Sequence, residues 1–205
     1  MGAFQQKLLF VGDSHVRISG GNIANGQRFA TSLYNSLTGW RPIYDNSAVP
    51  GITIATINAS FQSLVLDRTL PGDIVFMAAG INDLRAGTPI ATVQANLLTF
   101  CSLCLSNDRQ VIHSTPIPGR LSGDPTSVPQ DALTLAANMA ALAPYCTAQV
   151  NPYLNAAFNS ATSNQNTTFY WTDGLHLNDV GYDLWASIAQ PVVQPVININ
   201  LGRWK

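Results

Sequence analysis

The chain has 205 residues, enough for one domain with a single substantial hydrophobic core. Apolar residues make up 46% but charged ones only 10%, well under the usual quarter, so solubility leans on Asn, Gln, Ser and Thr. A net charge of −1 excludes the dense Lys and Arg contacts of a nucleic-acid binder, and no run approaches the ~18 apolar residues of a transmembrane helix.

Such a charge-poor surface suits a secreted, virion-associated or polysaccharide-facing protein, without choosing among them. The start, Met1 to Lys7, is polar, and the Leu8 to Val11 run is too short for a signal-peptide core. No leader is therefore expected in these residues, and the compartment stays open.

Apolar runs alternate with helix-period stretches, the pattern of a parallel sheet flanked by helices. The first predicted strand, Lys7 to Val11, stops at Gly12 and presents Asp13-Ser14-His15, with a helix expected a few residues later. Pro42 to Asn46 is the second. Ile54, Ile57, Phe61, Leu64 and Val65 then recur at three- and four-residue steps, which predicts a helix with one dry face. A third strand, Asp73 to Ala78, leads into Gly80-Ile81-Asn82-Asp83. Thr88-Pro89 opens a helix running to about Asn107, with proline in its first turn. Gln110 to Thr115 is the fourth strand, and Gly119 to Pro129 is expected as a surface loop near the sheet's C-terminal edge. An Ala- and Leu-rich helix follows over Pro129 to Ala143, then a last strand around Ala148 to Asn151. Asn178 to Ala189 makes the final helix, with Asn178 as N-cap. The tail, Gln190 to Lys205, carries Pro191 and Pro195 and reads as extended.

In an open parallel sheet the crevice beyond the strand C-termini binds ligands, and Ser14 lies there. Alone it reads more readily as a helix cap. A serine hydroxyl needs a base to take its proton, and the chain has only three histidines. His176 follows Asp173 by three residues, so the carboxylate can hold one imidazole nitrogen while the other faces outward. His15 should point away from the nucleophile, on a helix or toward the cleft wall. His113, in the fourth strand, reads as a core or rim residue. Gly51, after Pro50, can bring a bare backbone N–H close to a reacting oxyanion, and Asn82 can offer a side-chain amide. Asp83 should brace its loop through backbone hydrogen bonds. Arg17 and Arg85 read as surface or structural residues, with lining of the cleft as the alternative. Cys101, Cys104 and Cys146 lack the second ligand pair of a zinc site and read as buried free thiols, with one disulfide through Cys146 as the alternative.

The blocks around Ser14, Asn46 to Thr53, Ile74 to Leu84 and Asp173 to His176, in this order, resemble the SGNH (GDSL) hydrolase superfamily. The signature residues correspond to Ser14, Gly51, Asn82 and His176, and the likeness runs from the first strand to the last helix. His15 stands where that family most often has leucine. The resemblance implies an α/β fold, a flavodoxin-like three-layer α/β/α sandwich with a five-stranded parallel sheet. It also implies a Ser14–His176–Asp173 triad and an oxyanion hole from the N–H groups of Ser14 and Gly51 with Asn82.

The expected protein is a serine esterase using no metal and no organic cofactor, one domain over residues 1–205. Its expected substrate is a small ester or an acylated carbohydrate, with short acyl groups, notably acetyl, favoured. A thioesterase or lysophospholipase with a longer acyl groove is the alternative enzyme. A non-catalytic carbohydrate-binding or structural module of the same fold is the alternative outside enzymes.

Overall fold

Side-chain alternation along the strands decides the layering. The structure is a computed structural model and describes residues 6–17, 26–39, 41–120 and 127–203. Its strands are β1 (Lys7–Gly12), β2 (Ile43–Asn46), β3 (Ile74–Ala78), β4 (Gln110–Ser114) and β5 (Ala148–Val150). On one face of the sheet, Leu8, Phe10, Ile74, Phe76 and Ile112 are buried together. On the other, Leu9, Val11, Val75, Met77 and Val111 are buried together. This two-residue period gives the sheet two dry faces, so both must be covered.

The covering helices are α1 (Gly26–Ser36), α2 (Ile54–Ala59), α3 (Phe61–Leu64), α4 (Ile81–Arg85), α5 (Ile90–Ser106), α6 (Ser127–Ala137) and α7 (Asp179–Arg203). Helices α2, α5 and α6 pack on the face of Leu9 and Val75. Helices α1 and α7 pack on the face of Phe10 and Phe76, where Phe29 stacks on Trp185 at 3.8 Å between ring centroids. Strand order is β2-β1-β3-β4-β5, with every pair parallel. The fold is thus the flavodoxin-like three-layer sandwich implied by the sequence motifs.

Three local readings change. The helix expected from Ile54 to Val65 breaks into α2 and α3 at Ser60, and Thr53 caps its start by accepting from Thr56 N–H. The helix expected to Ala143 ends at Ala137 and continues as a 3₁₀ segment, Met139–Tyr145, which contains Pro144. The helix expected soon after Ser14 would begin within residues 18–25, outside the described residues.

The largest correction is the tail, expected as extended from Gln190 onward. Helix α7 runs on to Arg203 through Pro191 and Pro195. An interior proline costs about 3 kcal/mol, because it removes a hydrogen bond to the carbonyl four residues back. Here Ser187, Pro191 and Pro195 share one exposed stripe, where water can reach the released Ser187 and Pro191 carbonyls. On the opposite stripe Val193, Val196 and Ile197 are buried against α1. Each such side chain contributes roughly 1.5–3 kcal/mol, which offsets the prolines. As expected, Asn178 caps α7, its Oδ1 accepting from Gly181 N–H at 3.0 Å.

Among the described residues, no helix is long and apolar enough to cross a membrane.

Candidate active site

The chain leaves β1 toward β2 on one side and later crosses to β3 on the other, so the end of β1 is the sheet's topological switch point. Gly12 sits there because nothing larger fits. A Cβ at this position would lie 2.0 Å from the Ala78 carbonyl oxygen of β3. After it the backbone turns, with Val16 and Arg17 N–H both donating to the Asp13 carbonyl, and Ser14 stands half-buried at the apex.

Two neighbouring segments converge on that turn. Beyond β2, Val49 N–H donates to the Gly12 carbonyl at 2.9 Å, which brings the Pro50-Gly51 turn beside the end of β1. Gly51 adopts φ +73°, the left-handed region that glycine occupies without strain. Beyond β3, Asn82 donates through Nδ2 to the Ile52 carbonyl at 3.1 Å, tying its loop to the one carrying Gly51. Asp83, buried beside it, accepts from Ile54 N–H at 3.0 Å, the loop-bracing role expected of it. Burial pushes the Asp83 carboxyl above its ordinary pKa. Among the described residues, neither Ser14 N–H nor Gly51 N–H donates to any acceptor. Such uncommitted donors can receive a developing negative charge.

The fourth segment arrives from the far end of the chain. Residues Tyr170 to Leu177 form a tight reversal, with Trp171 N–H on the His176 carbonyl and Gly174 N–H on the Trp171 carbonyl. Within it Asp173 Oδ1 accepts from the N–H groups of Leu175 and His176, and Oδ2 lies 2.8 Å from His176 Nδ1. His176 Nε2 lies 3.0 Å from Ser14 Oγ. The carboxylate can only accept, so Nδ1 carries the hydrogen and Nε2 turns its lone pair to the serine hydroxyl. Serine, imidazole and carboxylate thus form one hydrogen-bonded line in which the ring can take the hydroxyl proton.

The model of the GDSL-like lipase/acylhydrolase family matches residues 10–184. The chain belongs to that family. Solved structures share the fold of this GDSL-family protein at low identity. The structure of TesA is 20% identical, with TM-score 0.73, covering 93% of this chain and 99% of its own. A lipase/acylhydrolase from Enterococcus faecalis is 22% identical, with TM-score 0.68 and 97% of both chains covered. A catalytic mutant of an acetylxylan esterase from Geobacillus stearothermophilus is 16% identical, with TM-score 0.70, covering 92% of this chain and 94% of its own. No curated protein sequence matches the chain.

Electrostatics in this GDSL-family site favour a neutral His176 beside a charged Asp173. Burial lowers the His176 pKa below 6.5, and the neighbouring His15 lowers it further, against the raising effect of Asp173. Burial alone would raise Asp173, but hydrogen bonds from the His176 ring and from Leu175 and His176 N–H outweigh it and hold the carboxyl below its ordinary value.

The sequence-predicted residues Ser14, Asp173 and His176 meet, and Gly51 and Asn82 lie on adjoining loops at the same sheet edge. Other residues differ from expectation or were not singled out. His15 is buried and reaches across the site rather than toward a helix or the cleft wall. Asp13 and Arg120 contact the segments that carry Ser14 and His176, contacts that no sequence spacing displays. His113 lies fully in the core with both ring nitrogens unpartnered. Arg85 ends α4 with its Nε buried and unpartnered, while Arg17 is half-buried just past Ser14. Cys101, Cys104 and Cys146 are free thiols. Among the described residues, no group of His, Cys, Asp or Glu side chains is arranged to hold a metal ion.

Proposed function

We propose that this GDSL-family hydrolase is a serine esterase acting on short-chain, chiefly acetyl, esters carried on carbohydrate, with residues 1–205 working as one domain. The observation that carries the reading is the continuous line from Asp173 through His176 to Ser14, at 2.8 and 3.0 Å.

In the first half-reaction Ser14 Oγ bonds to the ester carbonyl carbon as His176 Nε2 takes its proton. The carbonyl electron pair moves onto oxygen, which Ser14 N–H, Gly51 N–H and the Asn82 amide receive. Collapse of this adduct breaks the bond to the alcohol, and His176 returns the proton to the departing oxygen. In the second half-reaction water gives a proton to His176 and attacks the acyl-serine. The acid leaves and Ser14 regains its hydrogen. Asp173 keeps the ring in the required tautomer and balances the imidazolium charge at each stage.

Composition, an exposed aromatic side chain and a protein of the same fold support the preference for acetylated sugar. Charged residues make up only 10% of the chain, so neutral hydroxyl-rich substrates meet little competing charge. Trp171, just ahead of Asp173 on the base loop, leaves 47% of its surface exposed, an aromatic face suited to the CH-rich face of a sugar ring. An acetylxylan esterase is among the proteins sharing this fold.

A fluorophosphonate probe is expected to label the native protein and not Ser14→Ala. Native protein that takes no label would favour a non-catalytic module instead. A panel of acetylated sugars, acyl thioesters and phospholipids, run beside Ser14→Ala, then tests the substrate. Acetate release from the sugars supports the reading, and a preference for long acyl chains overturns it.

A further inference from the structure

His15 occupies an unusual position for a buried histidine. It is 3% exposed, and its backbone N–H and both ring nitrogens are engaged. Its backbone N–H and its Nδ1 both meet Asp13 Oδ1, at 2.9 and 3.1 Å, and Asp13 is itself 1% exposed. Its Nε2 meets the Leu175 carbonyl oxygen at 2.9 Å, a residue 160 positions away and directly before His176. Both ring nitrogens therefore face acceptors, a carboxylate and a peptide carbonyl. A neutral imidazole has one N–H and can satisfy only one of them, while an imidazolium satisfies both.

We propose that His15 is a positioning residue, a buried imidazolium that ties the base loop to the nucleophile turn and places a positive charge beside the His176 ring. The proposal rests on the Ser14–His176 reading above.

The mechanical part follows from where each partner is anchored. Ser14 rides on the rigid end of β1, whereas His176 belongs to a partly exposed reversal with little regular structure. Without a cross-link, loop motion would change the Ser14–His176 distance directly, and misplacement by about 1 Å can cost a hundredfold in rate. The Leu175 peptide serves both sides. Its carbonyl accepts from His15, while its N–H donates to Asp173 Oδ1 at 2.9 Å.

The electrostatic part follows from proximity. The His15 and His176 rings lie 5.5 Å apart between centroids. Burial pushes the His15 pKa down, but the hydrogen bond and charge of Asp13 outweigh it and leave the value raised. The groups around His176 are Asp13 and His15 from the end of β1, and Asp173 from its own loop. Farther out, Asp83 of α4 and Tyr182 of α7 feel the Asp13 charge, and Arg120 braces the Asp173 backbone from outside. Of these, only His15 lowers the basicity of His176, and its influence exceeds the opposing one of Asp13. A positive neighbour therefore keeps the base unprotonated to lower pH than the triad alone would allow.

The test uses the full chain with p-nitrophenyl acetate. His15→Gln keeps an amide donor at comparable reach but removes the charge. Its acid limb in kcat/KM is expected to move up by about half a pH unit or more, with plateau kcat within about threefold of native. His15→Leu removes both, and plateau kcat is expected to fall by about tenfold or more with KM little changed. Because Asp13 stays buried in each variant and either one could misfold, the native protein supplies an independent readout. Nitrogen-15 NMR of the His15 ring at pH 7 should show both nitrogens protonated. A neutral His15 ring, or an acid limb that stays in place in His15→Gln, overturns the proposal. Ser14→Ala measured alongside separates the two readings. If it retains turnover, the serine mechanism fails. If it is inactive while His15 proves neutral, only the proposed imidazolium fails.

Discussion

Arg120 grips the loop that presents His176 by its backbone. Its Nε donates to the Asp173 carbonyl at 2.8 Å and its Nη2 to the Thr172 carbonyl at 2.9 Å, while its own N–H donates to the Gly174 carbonyl at 3.0 Å. None of these bonds touches the reacting groups. Arg120→Ala is therefore expected to lower kcat by about three- to tenfold through a looser base, with stability changed by only about 1–2 kcal/mol. Single-turnover kinetics and thermal unfolding check the two halves. A stability loss with unchanged kcat would make Arg120 merely structural.

The pH profile should follow His176. In the proposed mechanism the ring must be neutral to accept the Ser14 proton, and its pKa is lowered from 6.5 by burial first and His15 second. Activity should thus persist through pH 6.5 and fall along a single acid limb with its midpoint below that value. A midpoint above 6.5 in kcat/KM would contradict this electrostatic account.

Asn82 donates through Nδ2 to the Ile52 carbonyl, and in the proposed mechanism its second amide hydrogen meets the oxyanion. Asn82→Ala should cost about a hundred- to thousandfold in kcat, with KM nearly constant, the pattern of a donor engaged mainly in the transition state. A change confined to KM would assign Asn82 to ground-state binding.

His113 gives the fold a pH liability. Burial lowers its pKa from 6.5 to about 4, and neither nitrogen has a partner. Between those values the unfolded chain binds a proton that the native state refuses, so stability declines as pH falls through this window, by roughly 3 kcal/mol. His15, with its raised pKa, acts in the opposite sense, losing stability as pH rises through its folded value. Urea unfolding of native protein and His113→Leu at pH 7 and pH 4.5 isolates the first effect. The native protein should lose more stability than the variant, and equal losses would rule this out.

Cys101 and Cys146 hold their sulfur atoms 3.4 Å apart. The contact with Cys146 and burial push the Cys101 thiol up, whereas the contact with Cys101 lowers Cys146. Diamide, which takes up the two thiol hydrogens, should join this pair and leave Cys104, deep in the core, alkylatable only after denaturation. Peptide mapping by mass spectrometry checks the connectivity. A Cys101–Cys104 link would contradict it.

Much of this was legible in the chain before folding. A strand with two dry faces announces itself in continuous apolar runs such as Leu8 to Val11, because burial is recorded locally as side-chain type. Asp173 and His176 are likewise close in sequence, so a carboxylate bound to its imidazole needs only one turn of backbone. Prolines misled at the C-terminus. Their local cost is visible in the sequence, but the compensation from Val193, Val196 and Ile197 depends on α1 lying opposite.

The amino-acid order by itself determined the parallel α/β architecture and the identities of Ser14, Gly51, Asn82, Asp173 and His176 as the residues to watch. Tertiary structure alone brought His15 and Arg120 against the loop bearing His176, with Asp13 behind His15. Hydrogen bonds spanning 160 and 53 positions leave no periodicity or spacing for a sequence to display, since the partners become neighbours only when the sheet brings its strand ends together.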